Sequence, residues 1–403
     1  MIYIFLNFSF YALASLILLS FLPPKSLLSY NLYSFLMVFI FNLLIFKVLK
    51  FELSINNILE KEPVIIILVS TLFFSFRLYQ EPFGMWDSWA MWNAKTKDFT
   101  LDFIEGYEFK YFRESWAHPG YPIFIPLQQS FISINLGFFS EKISYVYNYI
   151  YLICFWYMMT NNYKLYSLSL FYRFVTFFPF LLNGLINQSS DLCADFPLSI
   201  YFCFIIYLIL YHDSLNLDIK KYYNFLLGLF IGILPLIKNE GIFFLIYLVI
   251  YLALKFKNDF KFSSLSFFVI GISIPLFLNF YYKLNAPEFN PVPITKEHII
   301  NVIFIIERYK NIFYAELILN LSIFLMIPIV ILYFIYKKHK ISKLYLVLLC
   351  IHLTYNFIFL ITSADQTWHL HTAYLRLNQQ LLPAFFLITQ YIIKDNIHIS
   401  NHK

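Results

Sequence analysis

The segment GMWDSWAMWNAKTKDF sets Asp87 between Trp86 and Trp89 directly after an apolar run, and the same stretch closes on AHPGYP, Ala117 to Pro122. Acid, base and aromatic groups are thus packed together, with Lys95, His118 and Tyr121 in the same two motifs. A carboxylate at an apolar boundary, flanked by large rings, is costly to desolvate unless it has a partner. Such sites favour proton transfer or cation binding. Trp86, Trp89 and Trp92 suit either an interfacial aromatic belt or a substrate-facing wall.

Three further segments carry ionisable groups where apolar residues surround them. In NQSSDLCADFPL, Asp191 and Asp195 stand four apart and share one face if a helix extends that far. The alternative is an N-cap at Asp191 with Asp195 in the first turn, which Pro197 also suits. In LPLIKNEG, Lys238 and Glu240 lie between two apolar runs and must pair, snorkel or line a polar cavity. An internal ion pair is one reading, and Lys238 meeting a phosphate oxygen as a point charge is the other. In TSADQTWHLHTAYLRLNQQLLP, Asp365, Trp368, His369 and His371 precede Arg376. The Arg376 guanidinium fork suits bidentate phosphate binding, and anchoring to lipid headgroups explains it nearly as well. His369 and His371, two apart, suit metal ligation only on an extended segment.

The elements that must position these groups follow from composition. Of the 403 residues 60% are hydrophobic and 13% charged, with a mean hydropathy of +0.68, too little polar side chain to cover a water-borne surface. A bilayer must cover it instead. The apolar runs are continuous rather than alternating, which excludes a porin-type barrel and leaves helices. Runs near the length of a span, about 20 residues, fall at 2–22, 29–48, 63–80, 142–160, 166–187, 194–212, 222–237, 241–256, 263–282, 312–334, 343–361 and 375–393. The expectation is an all-α polytopic membrane protein with about 12 transmembrane helices. The first run, Ile2 to Leu22, lacks a basic flank and a clear cleavage site, and reads as a retained span.

Lysine and arginine in the short loops fall on one side of this count, at Lys47/Lys50/Lys61, Lys164/Arg173, Lys220/Lys221, Lys255/Lys257/Lys261 and Lys337/Lys338/Lys340/Lys343. That side is cytoplasmic, as are both termini. The motifs collect on the other side. Residues 81–141 form a large first extracytoplasmic loop with interfacial helices. Within it, residues 81–120 hold seven acids against four bases, so the loop is locally acidic in a chain of net charge +6. The stretch 121–139 is apolar enough to span but carries Pro122, Pro126 and the pair Gln128-Gln129, and reads as interfacial or re-entrant. Spanning there would turn the lysines of 337–343 outward. No repeat, low-complexity linker or soluble C-terminal domain is evident, so 1–403 reads as one domain. The scattered basic residues make nucleic acid an unlikely partner, and Cys154, Cys193, Cys203 and Cys350 read as packing residues.

Taken in order and on one side of the membrane, WDSWAMWNAK, HPGYP, SSDLCADFPL, KNEG and WHLHTAYLRLNQQLLP resemble the GT-C membrane glycosyltransferases, from about Phe83 to Pro383. The chain looks most like bacterial relatives of the protein O-mannosyltransferases and of the aminoarabinose transferase that modifies lipid A. The resemblance implies a sugar moved with inversion from a polyprenyl-phosphate donor to a glycan, lipid or protein acceptor. The reaction would take place at the outer face of the cytoplasmic (inner) membrane. Asp87 matches the first-loop acid, the base that deprotonates the acceptor hydroxyl or positions it. Asp191 or, preferably, Asp195 matches the second acid, which helps bind acceptor, donor sugar or a divalent cation, magnesium or manganese. Lys238 and Arg376 match basic positions that hold the carrier phosphate. Trp86, Trp89, Lys95, His118, Tyr121, Glu240, Trp368 and His369 complete the implied substrate-binding set. Asp87 is followed by Ser88 rather than by the Asp-Glu pair of the eukaryotic protein mannosyltransferases, which leaves the acceptor open. The absence of a Gly-rich phosphate loop agrees with a lipid-linked donor. The competing readings are a secondary transporter or flippase of lipid-linked sugars, whose site would lie at the bilayer midplane, and a lipid-linked oligosaccharide polymerase or ligase.

Overall fold

The computed structural model describes residues 2–21, 36–40, 61–105, 113, 116–161, 186–212, 217–255, 262–286, 295–319, 343–389 and 391. Most of these residues are helical, with no strand among them. In chain order the helices are α1 (Ile2–Phe21), α2 (Lys61–Gln80), α3 (Ala94–Glu105), α4 (Phe124–Leu136), α5 (Glu141–Asn161), α6 (Ile186–Ser190) and α7 (Asp195–Tyr211). They continue with α8 (Leu217–Ile237), α9 (Gly241–Lys255), α10 (Phe262–Asn285), α11 (Lys296–Ile303), α12 (Ile306–Leu319) and α13 (Lys343–Ile361), followed by α14 (Gln366–His369) and α15 (Leu375–Gln379). Two π-helical segments, Ser88–Asn93 and Leu370–Tyr374, lead into α3 and α15.

Among the described residues, three helical segments are long and apolar enough to cross a membrane: Lys220–Ile237, Leu265–Asn285 and Lys343–Ile361. At 18, 21 and 19 residues they rise roughly 27, 32 and 28 Å, against a hydrocarbon core of about 30 Å. Phe5–Leu18, Asp195–Tyr211 and Gly241–Lys255 are apolar but shorter. The expected runs at 63–80, 142–160, 194–212, 241–256, 263–282 and 343–361 coincide with helices to within three residues at either end, whereas α8 starts five residues before the run at 222. Most of 29–48, 166–187 and 320–334, and the lysines at 47, 50, 164, 257, 261 and 337–340, lie outside the described residues.

The chain divides into two compact units. The first comprises Met1–Gly241 with Asp259–Glu288, and the second Ile242–Asn258 with Phe289–Lys403. In the first, α7 is the central column. Every residue from Asp195 to Leu210 is buried, as expected for a helix that is apolar all round. Helices α5 and α8 pack against α7, α1 against α4 and α5, and α2 against α5 and α6. Helices α8 and α10 make the most extensive contact. Glycine at 228 and 271 permits it, since a Cβ on Gly228 would stand 2.3 Å from Phe268 O and one on Gly271 2.2 Å from Phe225 O. Small residues that let backbones approach this closely are the usual means of packing helices in lipid, where the solvent supplies no hydrophobic drive.

The ambiguous 121–139 stretch forms α4, a 13-residue helix closed by Gly137 in the left-handed conformation at φ +76°. Its length, roughly 20 Å, falls short of a span. Its glutamines are buried because distant helices satisfy them. The Gln128 amide receives the Tyr151 hydroxyl at 2.7 Å and that of Tyr147, and donates to Tyr201 at 2.8 Å. Gln129 accepts from Thr96 at 2.9 Å. Ser9 of α1 closes the network on Tyr201 at 2.5 Å.

In the second unit α13 packs against α11 and α12, and the π-helical segment 370–374 against α12. Its core holds a polar network. His352 Nε2 lies 2.7 Å from Glu316 Oε1, and His352 Nδ1 lies 2.6 Å from Asn378 Oδ1. Asn356 donates to Glu316 at 3.0 Å and accepts from the Tyr374 hydroxyl at 2.7 Å. Asn378 Nδ2 donates to Tyr374 O at 2.9 Å, which turns its carbonyl oxygen to the imidazole. Nδ1 of His352 is therefore the donor there, and Nε2 faces the Glu316 carboxylate.

Candidate functional site

The first unit gathers the motifs from four stretches of sequence. The segment after α2 is seated on the turn before α7. Met85 N donates to Asp191 O at 3.2 Å, the Tyr145 hydroxyl donates to Glu81 O, and Arg77 holds Glu81 at 3.1 Å with Asp191 at 4.0 Å. Gly84 has φ +68°, and a Cβ there would stand 2.8 Å from Asp191 O, so the close approach requires glycine. Asp87 then opens the π-helical segment Ser88–Asn93 with helical dihedrals and no side-chain cap. Segments of this kind are rare and concentrate at functional sites.

The HPGYP motif is fastened over α3. Trp116 Nε1 donates to Asp98 at 2.6 Å, while Arg113 reaches Asp98 at 3.3 Å and Asp102 at 2.5 Å. His118 has φ +58°, a conformation that L side chains rarely adopt. The ring of His118 stands 5.7 Å from that of Tyr121. Tyr282 donates to Pro119 O at 2.7 Å and to Tyr121 O at 3.0 Å, which ties the motif to α10.

Behind it lies a lysine with no exposed surface. Lys95 Nζ donates to Tyr121 O at 2.8 Å and His118 O at 3.2 Å, and sits 5.3 Å from the Trp116 ring centre and 5.9 Å from that of Trp92. Burial, and secondarily the charge of Lys283, bring its pKa down to about 7. The folded value lies below the unfolded one, so the unfolded chain binds the extra proton between about pH 7 and the ordinary 10.5. On account of this group, stability rises with pH through that window, and the cost of burying the charge is fully present below it. The unfolding midpoint of detergent-solubilised wild type therefore climbs more steeply from about pH 7 to about pH 9 than that of Lys95→Met. Parallel curves would contradict the assignment.

The third motif joins the second. Lys238 Nζ donates to Asp195 at 2.8 Å and meets Glu240 at 3.3 Å. Asp195 and Lys238 are both buried, and Glu240 is partly exposed. Glu240, and after it burial, raises the Tyr121 hydroxyl above the ordinary phenol range, with Asp195 and Asp87 adding to the rise and Lys238 opposing it. Burial lowers the His118 imidazole, against the charge of Asp87 and with that of Lys95. The charge of Asp87 thus reaches His118 and Tyr121, and those of Asp195, Lys238 and Glu240 reach Tyr121, although the groups come from separated segments. Lys283, at the end of α10, completes the group by donating to Asn239 Oδ1 at 2.6 Å and to Gly120 O.

Several expectations need correction. Asp191 and Asp195 do not share a helical face, because α7 starts at Asp195 and Leu192, at φ +57°, turns the chain before it. Asp191 is not an N-cap either, since Ala194 occupies that position and Asp191 instead faces Arg77. Trp92 is neither belt nor substrate wall. It is buried between Tyr121 and Lys95, whereas Trp86 and Trp89 are 54% and 51% exposed and meet edge to face at 6.0 Å. Lys238 does form an ion pair with Glu240, but its closer partner is Asp195.

Trp368, His369 and Arg376 belong to the second unit. Asp365 caps α14 through Trp368 N at 2.7 Å, Trp368 is exposed, and His369 contacts Thr362 Oγ1 at 2.9 Å with its ring 4.8 Å from Phe359. Arg376 is half-buried in α15. Sequence reasoning passed over Lys283, Glu316 and His352. Glu316 and His352 are ionisable residues inside apolar runs, and that signal was available. Among the described residues no three of His, Cys, Asp and Glu stand together as metal ligands. Asp195 and Glu240 already share Lys238, so this donor set does not fit a divalent cation. No family model, curated protein or solved structure matches the chain.

Proposed function

We propose that this chain is an inverting glycosyltransferase of GT-C type, a multi-pass protein of a cytoplasmic membrane. It would move a sugar from a polyprenyl-phosphate carrier to an acceptor hydroxyl at the outer face. The observation that carries the reading is the meeting of Asp87, His118, Tyr121, Asp195, Lys238 and Glu240 in one unit. Asp87, partly exposed, takes the acceptor proton as the acceptor oxygen attacks the anomeric carbon. The bond from that carbon to the phosphate oxygen breaks, and the lipid phosphate leaves with the electron pair. Lys238 is occupied by two carboxylates and serves to set Asp195 and Glu240 in place. Lys283, whose side chain is exposed, is the better amine to meet the departing phosphate.

A secondary transporter is the second reading, favoured by the buried Glu316–His352 pair, because ionisable groups inside apolar helices mark ion and proton paths. The phosphate-linked donor is tested by binding. With the protein in lipid nanodiscs, a short-chain polyprenyl phosphate is expected to bind at least about tenfold more tightly than the matching polyprenol, a difference of about 1.4 kcal/mol. Lys283→Ala is expected to erase most of that difference. Equal binding of alcohol and phosphate would contradict a phosphate-linked donor.

A further inference from the structure

Beside the Asp87 group, the first unit has a cleft of about 540 Å³ lined chiefly by Phe83, Trp89, Asn93, Lys97, Phe139 and Glu141. Its volume falls within the range of about 300–1,000 Å³ usual for small-molecule sites. Trp89, Asn93 and Lys97 recur at four-residue spacing and so share one side of the π-helical segment and α3. Asp87 stands two positions earlier, and its charge acts on His118 and Tyr121. The cleft is therefore distinct from the Asp87 group while opening from the same helix.

Its chemistry is selective. Phe83 and Trp89 are 55% and 51% exposed, flat rings left open to a ligand. Lys97 and Glu141 make no side-chain hydrogen bond or ion pair among the described residues, so both heads are available. Asn93 is buried and fixed, accepting from Ser144 at 2.5 Å and donating to Ser88 at 3.4 Å. One cation and one carboxylate cancel, so the lining does not select an anion. Ring faces flanked by strong donors and acceptors suit an uncharged polyhydroxylated ligand, with C–H groups against the rings and hydroxyls toward Lys97 and Glu141.

We infer that this cleft is a carbohydrate subsite that holds a neutral sugar unit of the acceptor, so that the acceptor is a glycan. Its assignment to the acceptor rests on the glycosyl-transfer reading, and the subsite itself does not. The test uses the full chain in nanodiscs with uncharged gluco-, galacto- and manno-configured oligosaccharides as probes, read by saturation-transfer NMR and tryptophan fluorescence. At least one probe binds saturably, and Trp89→Ala and Glu141→Gln each weaken it by about tenfold, the equivalent of about 1.4 kcal/mol. Trp89→Phe, which keeps a ring, stays within about threefold of wild type. Absence of saturable binding by every probe overturns the inference, as does unchanged binding by Trp89→Ala and Glu141→Gln. Displacement of the sugar by glycerophosphoethanolamine would identify a lipid headgroup site and overturn it too. Sugar binding in a protein that transfers nothing leaves the subsite standing and removes the transferase reading, whereas transfer without such binding does the reverse.

Discussion

Asp87→Asn lowers sugar transfer by about two to four orders of magnitude, the contribution of a positioned general base, and leaves the protein folded. The asparagine keeps the size and the hydrogen-bonding reach of the aspartate but cannot take a proton. Asp87 sits at the start of a π-helical segment without capping it, so its carboxylate does not hold that helix end. Its charge acts instead on His118 and Tyr121. The loss therefore falls on the rate at saturating donor, while donor affinity moves little. An Asp87→Asn enzyme with unchanged turnover would remove the acid from the mechanism.

Lys238→Met is the most damaging single change expected for stability. It strands Asp195, 2% exposed at its side chain, without the amine 2.8 Å away that neutralises it. Removing one member of a buried pair costs about 3–5 kcal/mol, because the surviving charge stays in a low-dielectric site. The double change Asp195→Leu with Lys238→Met removes both charges and recovers most of the loss, since an apolar replacement of a buried pair is often neutral or better. Thermal unfolding of wild type and the two variants in one detergent measures this. Recovery of stability with transfer still abolished assigns the pair to the site. Recovery of both would make it a packing device, and equal stability of Lys238→Met and wild type would contradict the pairing.

The longer apolar helices were legible because continuous apolar runs bounded by polar breaks are enough to place them, as at 343–361, where the run and α13 agree at both ends. The extent of α8 was not, because Lys220 and Lys221 interrupt the apolar pattern but not the backbone hydrogen bonding. Gln128 and Gln129 look like polar interruptions of a span until Tyr147, Tyr151, Tyr201 and Thr96 are placed around them, and those partners lie 19 to 73 residues away. The same holds at the site. The types and order of Asp87, His118, Tyr121, Asp195, Lys238 and Glu240 single them out, but the 43-residue reach from Lys238 to Asp195 is set by the packing of α7 and α8. Lys283 had no such signal. A lysine at the end of an apolar helix reads as an interfacial anchor, and only its bonds to Gly120 and Asn239 bring it to the group.

The central claim is tested most directly by transfer itself. Purified full-length protein in liposomes is given short-chain polyprenyl-phosphate sugars labelled in the sugar, together with membrane extract as the acceptor source, and wild type is compared with Asp87→Asn at matched amounts. The expected result is label moved to acceptor with inverted anomeric configuration by wild type, and at least about a hundredfold less by Asp87→Asn. Labelled lipid crossing the bilayer intact, with no sugar transferred by either protein, would contradict the account and leave a transporter in its place.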